Sequence, residues 1–262
     1  MGALSETAVP RFILRPVLSA YCSHFGVDMS EAERPLDAYV TFNDFFTRAL
    51  RAGLRPLDAD PAAVLSPVDG RVYASGSIDE GTILQAKGVP YSVAELLGSE
   101  GAAAPLRHGT FATFYLSPKD YHRIHWPFEA TIARVLHLPG DLWPVNDAAL
   151  ASIPRLFARN ERAPILGSTS AGASFAMVPV GALNVGSIRL AFHSLVTNRW
   201  GKAVPREFPF TPAHAAQRGH EAARFAFGSA VVLLLSPEAG RLDALEPGTL
   251  VRQGRRVGTL AT

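Results

Sequence analysis

Phe225-Ala226-Phe227-Gly228-Ser229-Ala230 runs straight into Val231-Val232-Leu233-Leu234-Leu235. Five consecutive branched apolar residues with a Gly-Ser pair at their mouth read as a short strand buried on both faces. A serine at that entrance has two uses. It is either a small hydrogen-bonded residue at a strand start or a nucleophile held rigidly on a strand. In the second case the glycine before it lets other groups approach the carbonyl closely. The rest of the chain bears on the choice, because it supplies a base, an orienting carboxylate and a spare proton donor.

The chain has 262 residues, enough for one large or two small domains with a substantial core. It is 48% hydrophobic and 18% charged, yet no run of 18 uncharged apolar residues occurs, so no membrane-spanning helix is expected. Residues 1–10 lack a basic stretch leading into an apolar run, and no signal peptide is expected. A single cysteine, Cys22, excludes an internal disulfide and suits a reducing compartment. A net charge of +2 with no basic stripe among aromatics argues against nucleic acid. The scattered 22 glycines and 20 prolines point to many short strands and turns.

From the N-terminus, residues 11–25 carry apolar side chains at helical spacing with Arg11 and Arg15 among them. This is a helix packed on its own domain, or one lying on an anionic membrane surface. A second helix is predicted from about Thr41 to Leu50, with Phe42, Phe45, Phe46, Ala49 and Leu50 on one face. From Val64 the texture turns to short β-type runs. These are Ser66–Val72, Ile83–Gly88, Phe111–Leu116, Thr131–Leu138, Ala163–Leu166, Ser174–Val180 and Ser187–Phe192. Ser92 with Glu95 three residues on predicts a capping-box helix to Leu97. Loose echoes among Pro67–Val72, Pro127–Ile132 and Pro247–Gly254 have the rhythm of a barrel–sandwich like that of lipoyl- and biotinyl-carrying domains. Thr197–Gly219 has little periodicity but holds Trp200, Phe208 and Phe210, and is expected to be a lid or mobile segment. The expected fold class is α+β, mainly a β barrel or sandwich core with N-terminal helices and short peripheral helices. The expected division is a membrane-facing helical segment, 1–60, and a β-rich catalytic domain, 61–262.

Chemistry concentrates in four residues. Asp69 lies in a tight Pro-x-Asp-Gly turn, where an aspartate commonly bonds its own backbone. His122 and His125 lie three apart, but no cysteine or Glu-x-x-His accompanies them, so no metal is expected. Ser229 is the candidate nucleophile. A carboxylate that fixes an imidazole tautomer, and an imidazole that takes a hydroxyl proton, are what a base-activated serine requires. Spacing alone leaves open whether the three meet.

A series of motifs runs in order along the chain: Phe45-Phe-Thr-Arg-Ala-Leu50, Arg55-Pro-Leu-Asp58, Ser66-Pro-Val-Asp-Gly70 and Ile83-Leu-Gln-Ala-Lys-Gly88, then Tyr115-Leu-Ser-Pro-Lys-Asp-Tyr-His-Arg-Ile-His125. Pro139-Gly-Asp-Leu-Trp-Pro-Val-Asn146, Leu156-Phe-Ala-Arg-Asn-Glu-Arg162, Val180-Gly-Ala-Leu-Asn-Val-Gly-Ser187 and Phe227-Gly-Ser229 follow. Together they resemble the motifs of the prokaryotic, pyruvoyl-dependent phosphatidylserine decarboxylases over nearly the whole chain. The runs from Tyr115 and from Leu156 are the most specific. Two departures stand out. The family usually has Gly-Ser-Thr where this chain has Gly228-Ser229-Ala230, and its run Lys-Gly-x-Glu-x-Gly-x-Phe appears as Arg218-Gly-His-Glu-Ala-Ala-Arg-Phe225.

The resemblance implies a zymogen that cuts itself between Gly228 and Ser229 into a beta chain, 1–228, and an alpha chain, 229–262. Asp69, His125 and Ser229 would form the processing triad. Ser229 would become a covalent pyruvoyl group, the only cofactor, forming a Schiff base with the substrate amine. His122 would serve the decarboxylation of phosphatidylserine to phosphatidylethanolamine and CO2. The partners implied are phosphatidylserine in a membrane and the two chains of one precursor, with a homodimer left open. The implied location is peripheral, on the cytoplasmic side of the cell membrane. Two rivals share the residues: a serine hydrolase using the same triad, against which no Gly-x-Ser-x-Gly elbow is present, and an unprocessed, non-catalytic lipid-binding relative.

Overall fold

The computed structural model describes residues 7–85, 88–183, 187–198, 204–226 and 229–261, with the backbone alone at Ser229. Phe227, Gly228 and Trp200, singled out above, lie outside the described residues, as do Lys87 and residues 184–186. In chain order the strands begin with β1 (Ala63–Leu65), β2 (Gly70–Ser77), β3 (Thr82–Leu84), β4 (Pro90–Ser92) and β5 (Thr110–Leu116). Next come β6 (Arg123–His125), β7 (Ala130–His137), β8 (Ile165–Thr169), β9 (Ser174–Val180), β10 (Ile188–Leu190) and β11 (Arg206–Ala216). The chain ends with β12 (Glu221–Phe225), β13 (Ser229–Leu235), β14 (Gly240–Leu242), β15 (Leu250–Val251) and β16 (Arg256–Leu260). Eight of them form one antiparallel sheet in the order β11-β7-β8-β9-β13-β5-β2-β15.

Strand β13 lies inside this sheet, hydrogen-bonded to β5 on one side and β9 on the other, with Val231 opposite both Phe114 and Pro179. Its alternating side chains enter two different cores. Val231, Leu233 and Leu235 pack with Phe114, Phe128 and Phe225. Ala230, Val232 and Leu234 pack with Leu96, Phe157 and Val178. The first core is roofed by two three-stranded sheets, β1-β16-β14 and β10-β12-β6. The second is covered by short helices, which explains why the run 231–235 has no polar member: neither face meets water. The class is α+β with a sandwich-like core. Among the described residues the large sheet stays open, with β11 and β15 at its edges, so no closed barrel forms.

Six helices are described: α1 (Arg11–Phe25), α2 (Phe42–Phe46), α3 (Val93–Leu97), α4 (Glu100–Ala103), α5 (Asp147–Ser152) and α6 (Leu156–Arg159). The Ser92 hydroxyl accepts the N–H groups of Ala94 and Glu95, capping α3 as its sequence predicts, and Gly98 ends it at φ +67°. Helix α1 turns Leu14 and Leu18 into a small core with Val27, Tyr39 and Phe45. Its Phe12, Ile13 and Val17 stay exposed.

Two expectations are corrected. The helix predicted over 41–50 stops at Phe46, because the chain beyond it pairs with residues 31–33: Glu33 N–H donates to Ala49 O, and Arg51 N–H to Glu31 O. The segment Thr197–Gly219 is no lid over 206–216; that part is β11, paired with β7 from Arg206–His137 to Ala216–Ala130. Pro209 and Pro212 obscured it. Both are tolerated because β11 is an edge strand and its register breaks between Pro209 and His214.

Because Leu233 is fully buried at the sheet centre, Leu233→Ala should destabilise the fold by about 2–5 kcal/mol. Urea unfolding of the intact chain measures it. A loss under 1 kcal/mol would contradict the packing described.

Candidate active site

The residues named from the sequence gather around the loop between β5 and β6. Asp120 accepts both the N–H and the hydroxyl of Ser117, at 2.6 and 2.7 Å, which closes the loop on itself. Burial pushes the Asp120 carboxyl up from its usual value. The loop then delivers Tyr121, His122 and His125 in one short stretch.

His122 is fully buried, with its ring stacked 4.0 Å from that of Phe46. Its Nε2–H donates to Ser117 O at 3.1 Å, since a carbonyl can only accept, and that leaves a lone pair on Nδ1. Nδ1 is buried without a partner. Desolvation, with the nearby Arg48 charge adding to it, pushes the His122 pKa down to about 3. The ring is therefore a neutral group at pH 7.

His125 is fixed by two contacts. Nδ1–H donates to Gly219 O at 2.8 Å, so the neutral tautomer leaves the lone pair on Nε2, which accepts from the Tyr121 hydroxyl at 3.0 Å. Burial lowers the His125 pKa from 6.5, partly countered by the Gly219 carbonyl. Gly219 turns the chain between β11 and β12 at φ +78°, and a Cβ there would lie 2.5 Å from Leu57 Cδ1. The positive φ favours glycine at that turn, which presents its carbonyl to the imidazole.

Asp69 lies on the neighbouring segment, where Pro67 O accepts the His125 N–H at 2.8 Å. Its carboxylate faces elsewhere. Oδ1 accepts from Gln253 N–H at 2.8 Å and from Arg55 Nε at 3.0 Å, while Oδ2 accepts from Arg55 Nη2 at 2.5 Å. Arg55 also binds Glu31 at 2.6 Å; against burial, which lowers it, the bonds to Asp69 and Glu31 hold its guanidinium above its usual value. Among the described residues no hydrogen bond joins Asp69 to His125; the group that sets the imidazole tautomer is the Gly219 carbonyl. The turn itself requires Gly70, where a Cβ would lie 2.2 Å from Tyr115 O.

The candidate cleavage position bridges two sheets. Upstream, Phe225 N–H donates to His122 O and Ala226 N–H to Ser187 O. Downstream, the Ser229 backbone pairs opposite Leu116, the residue before Ser117. His122 thus holds the upstream end of the crossing from β12 to β13, and its ring bonds Ser117, the residue after the partner of Ser229; Gly228 and the Ser229 side chain lie outside what is described. Sequence reasoning missed Tyr121, Gly219 and Arg55. Tyr121 was detectable as the tyrosine four residues before His125; a carbonyl ligand such as Gly219 leaves no such trace.

The chemistry available is that of two neutral imidazoles, one with a free buried lone pair. An unfolded histidine titrates near 6.5 and folded His122 near 3, so between these values the unfolded chain binds the extra proton. Stability should rise with pH across that window and be lost as pH falls, and His125 acts in the same direction. The urea midpoint should decline from pH 7 to pH 4, less steeply in His122→Gln. An equal slope in the variant would contradict the buried neutral imidazole.

The sequence model of the family described as phosphatidylserine decarboxylase matches residues 42–259. The phosphatidylserine decarboxylase proenzyme of Xanthomonas euvesicatoria pv. vesicatoria (strain 85-10) is 48% identical over 233 residues, covering 88% of this chain and 83% of its own length. That of Myxococcus xanthus (strain DK1622) is 41% identical over 269 residues, covering 99% of this chain and 92% of its own. Residues 42–259 include the site residues just described from Phe46 to Gln253, all but Glu31, and the chain belongs to the phosphatidylserine decarboxylase family.

Proposed function

We propose that this chain is a self-processing proenzyme that converts phosphatidylserine to phosphatidylethanolamine and CO2, with Ser229 as the nucleophile. The observation that carries the reading is the pair of histidines on the segment between β5 and β6: His122, whose carbonyl holds Phe225 at the crossing and whose buried Nδ1 is free, and His125, a tautomerically fixed base beside the start of β12. His125 Nε2, reached directly or through the Tyr121 hydroxyl, takes the Ser229 proton. The Ser229 oxygen attacks the Gly228 carbonyl, and the amide becomes an ester. Loss of the Ser229 α-proton then expels the Gly228 carboxylate, and hydrolysis leaves a pyruvoyl group and ammonia. Asp69 contributes through space: its charge favours the imidazolium formed on His125. The products are chains 1–228 and 229–262.

The pyruvoyl group supplies an electron-withdrawing carbonyl that draws off the electron pair left when CO2 departs. The surroundings fit such a group, because the orphaned His122 Nδ1 is a buried polar atom in want of a partner. His122 holds a proton at Nδ1 only transiently and delivers it to the substrate carbon. The ring's stack on Phe46 and its bond to Ser117 O keep that atom in place. No metal enters this scheme.

The lipid substrate requires contact with a bilayer, and no helix among the described residues is long and apolar enough to cross one. Helix α1 is the proposed contact. Phe12, Ile13, Val17 and Phe25 are exposed on it, with Arg11 and Arg15 beside them, the pattern of a helix lying on an anionic surface. Residues 1–60 are the proposed membrane-facing segment and 61–262 the catalytic domain. Phe208 and Phe210 are half-buried on β11 with His193, a weaker second contact.

Mass spectrometry of the purified protein should show two chains meeting at residues 228 and 229, and Ser229→Ala should show one intact chain. His125→Ala should also stay intact, whereas His122→Ala should split at least in part and release no CO2. Splitting of the Ser229 variant would sink the scheme. An intact wild-type chain would favour the non-catalytic lipid-binding alternative. Phe12→Ser with Val17→Ser should weaken sedimentation with anionic liposomes and leave self-cleavage intact; unchanged sedimentation would move the contact elsewhere.

A further inference from the structure

A cleft of about 250 Å3 opens between the N-terminal segment and the 117–122 loop, lined by Arg48, Arg55, Asp69, Lys119, Tyr121 and Arg252. Tyr121, one of its lining residues, bonds the base nitrogen of His125 through its hydroxyl. The cleft is therefore one residue away from the candidate active site.

Its acids already have partners. Glu31 and Asp69 are bound by Arg55, Asp120 by Ser117, and Asp28 accepts the Ser30 N–H. The cations are not all matched. Arg48 is only 3% exposed, yet no carboxylate lies within ion-pair distance of it among the described residues. Nη2 donates to the carbonyls of Lys119 and Asp120, at 2.8 and 3.3 Å, and the guanidinium rests 5.4 Å from the Phe45 ring centre. Nε and Nη1 are buried with no partner at all. Burial pushes the guanidinium below its usual value, the mark of a charge without compensation. Lys119, at the same wall, likewise forms no ion pair among the described residues. A buried arginine with open N–H groups is costly by itself and becomes favourable once an anion answers it.

We propose that Arg48, assisted by Lys119, is the receptor for the phosphodiester of the substrate headgroup, orienting its serine end toward Tyr121 and His125. This rests on the decarboxylase reading above. The phosphodiester is the anion to hold, because a guanidinium on the substrate carboxylate would stabilise the state before CO2 leaves and so oppose the reaction. Guanidinium N–H groups suit phosphate oxygens, and Nε and Nη1 are the two nitrogens of Arg48 left without a partner to meet them. The cleft volume suits a polar headgroup, leaving the acyl chains outside it.

The unprocessed Ser229→Ala chain, in which the cleft exists without the reaction, is titrated calorimetrically with glycerophosphoserine, inorganic phosphate and O-methylserine. Glycerophosphoserine should bind and O-methylserine should not, and adding Arg48→Gln should weaken the former at least tenfold, with Arg48→Lys between. In the mature enzyme, Arg48→Lys should raise KM for a short-chain phosphatidylserine several-fold, with kcat changed less than threefold and self-cleavage unaffected. Equal affinity in the Arg48→Gln chain would overturn the proposal. So would binding of inorganic phosphate without glycerophosphoserine, which would make this a free-anion site. Should Arg48→Gln not fold, Arg48→Lys and the three-ligand comparison on the parent chain decide it. Failure of decarboxylation with glycerophosphoserine still bound would instead fault the activity reading alone.

Discussion

Strand β13 must be apolar on both faces, because one row of its side chains lies under two small sheets and the other under helices. That constraint governs everything around Ser229. The strand is held by backbone ladders to β5 over its whole length and to β9 from Ala230 onward, so its first residue has little freedom. A cut before Ser229 would leave the new terminus fixed at the sheet. Nor would the C-terminal piece come away: β13, β15 and β16 are woven into three different strand pairings with the N-terminal part. The proposed cleavage thus changes covalent structure at one point without releasing the packing that surrounds it.

The price of such burial appears in the polar groups nearby. His122 and Arg48 carry nitrogen atoms with no partner, and His122, His125 and Arg48 are all shifted toward their neutral forms by desolvation. Buried polar groups are normally answered by a hydrogen bond, and an exception beside candidate catalytic groups is a place where a ligand or a reacting group can complete it. Near this crossing two exceptions fall on residues linked through one loop, since Arg48 holds the carbonyls of Lys119 and Asp120 that precede His122. By contrast, Asp69 is fully answered by Arg55 and Gln253. Its anchoring role is visible, and its effect on His125 is one of charge at a distance.

Where local pattern and tertiary packing agree, the fold was legible. The run 231–235, the Ser92 cap and the 11–25 helix all appear where periodicity and capping put them. Legibility failed where a distant partner decides. Residues 47–50 leave the helix to pair with 31–33, and 206–216 form a strand despite two prolines because the sheet edge accepts them. For the site, residue types and motifs pointed to Asp69, His122 and His125, which the fold places on one loop and the turn hydrogen-bonded to it. They could not supply orientation. The atom that fixes His125 is a backbone carbonyl, and any residue type carries one; only the positive φ of Gly219 distinguishes it, and that is a property of the folded turn.

Alternation along β13 also bears on Ala230, where the family usually has threonine. Ala230 is fully buried and packs into the core beneath the helices, opposite Tyr115 and Val180. Ile124, which lies between the histidines in sequence, and Phe225, whose N–H donates to His122 O, belong to the core on the other face. A hydroxyl on residue 230 would therefore lie on the helical side of the sheet, away from the imidazoles. An alanine fills that position with no buried donor to satisfy, while a larger residue would have to displace neighbours packed to full density. The substitution thus falls in the packing of the helical face, and Ala230 is no part of the contacts that hold His125 or leave the His122 nitrogen free.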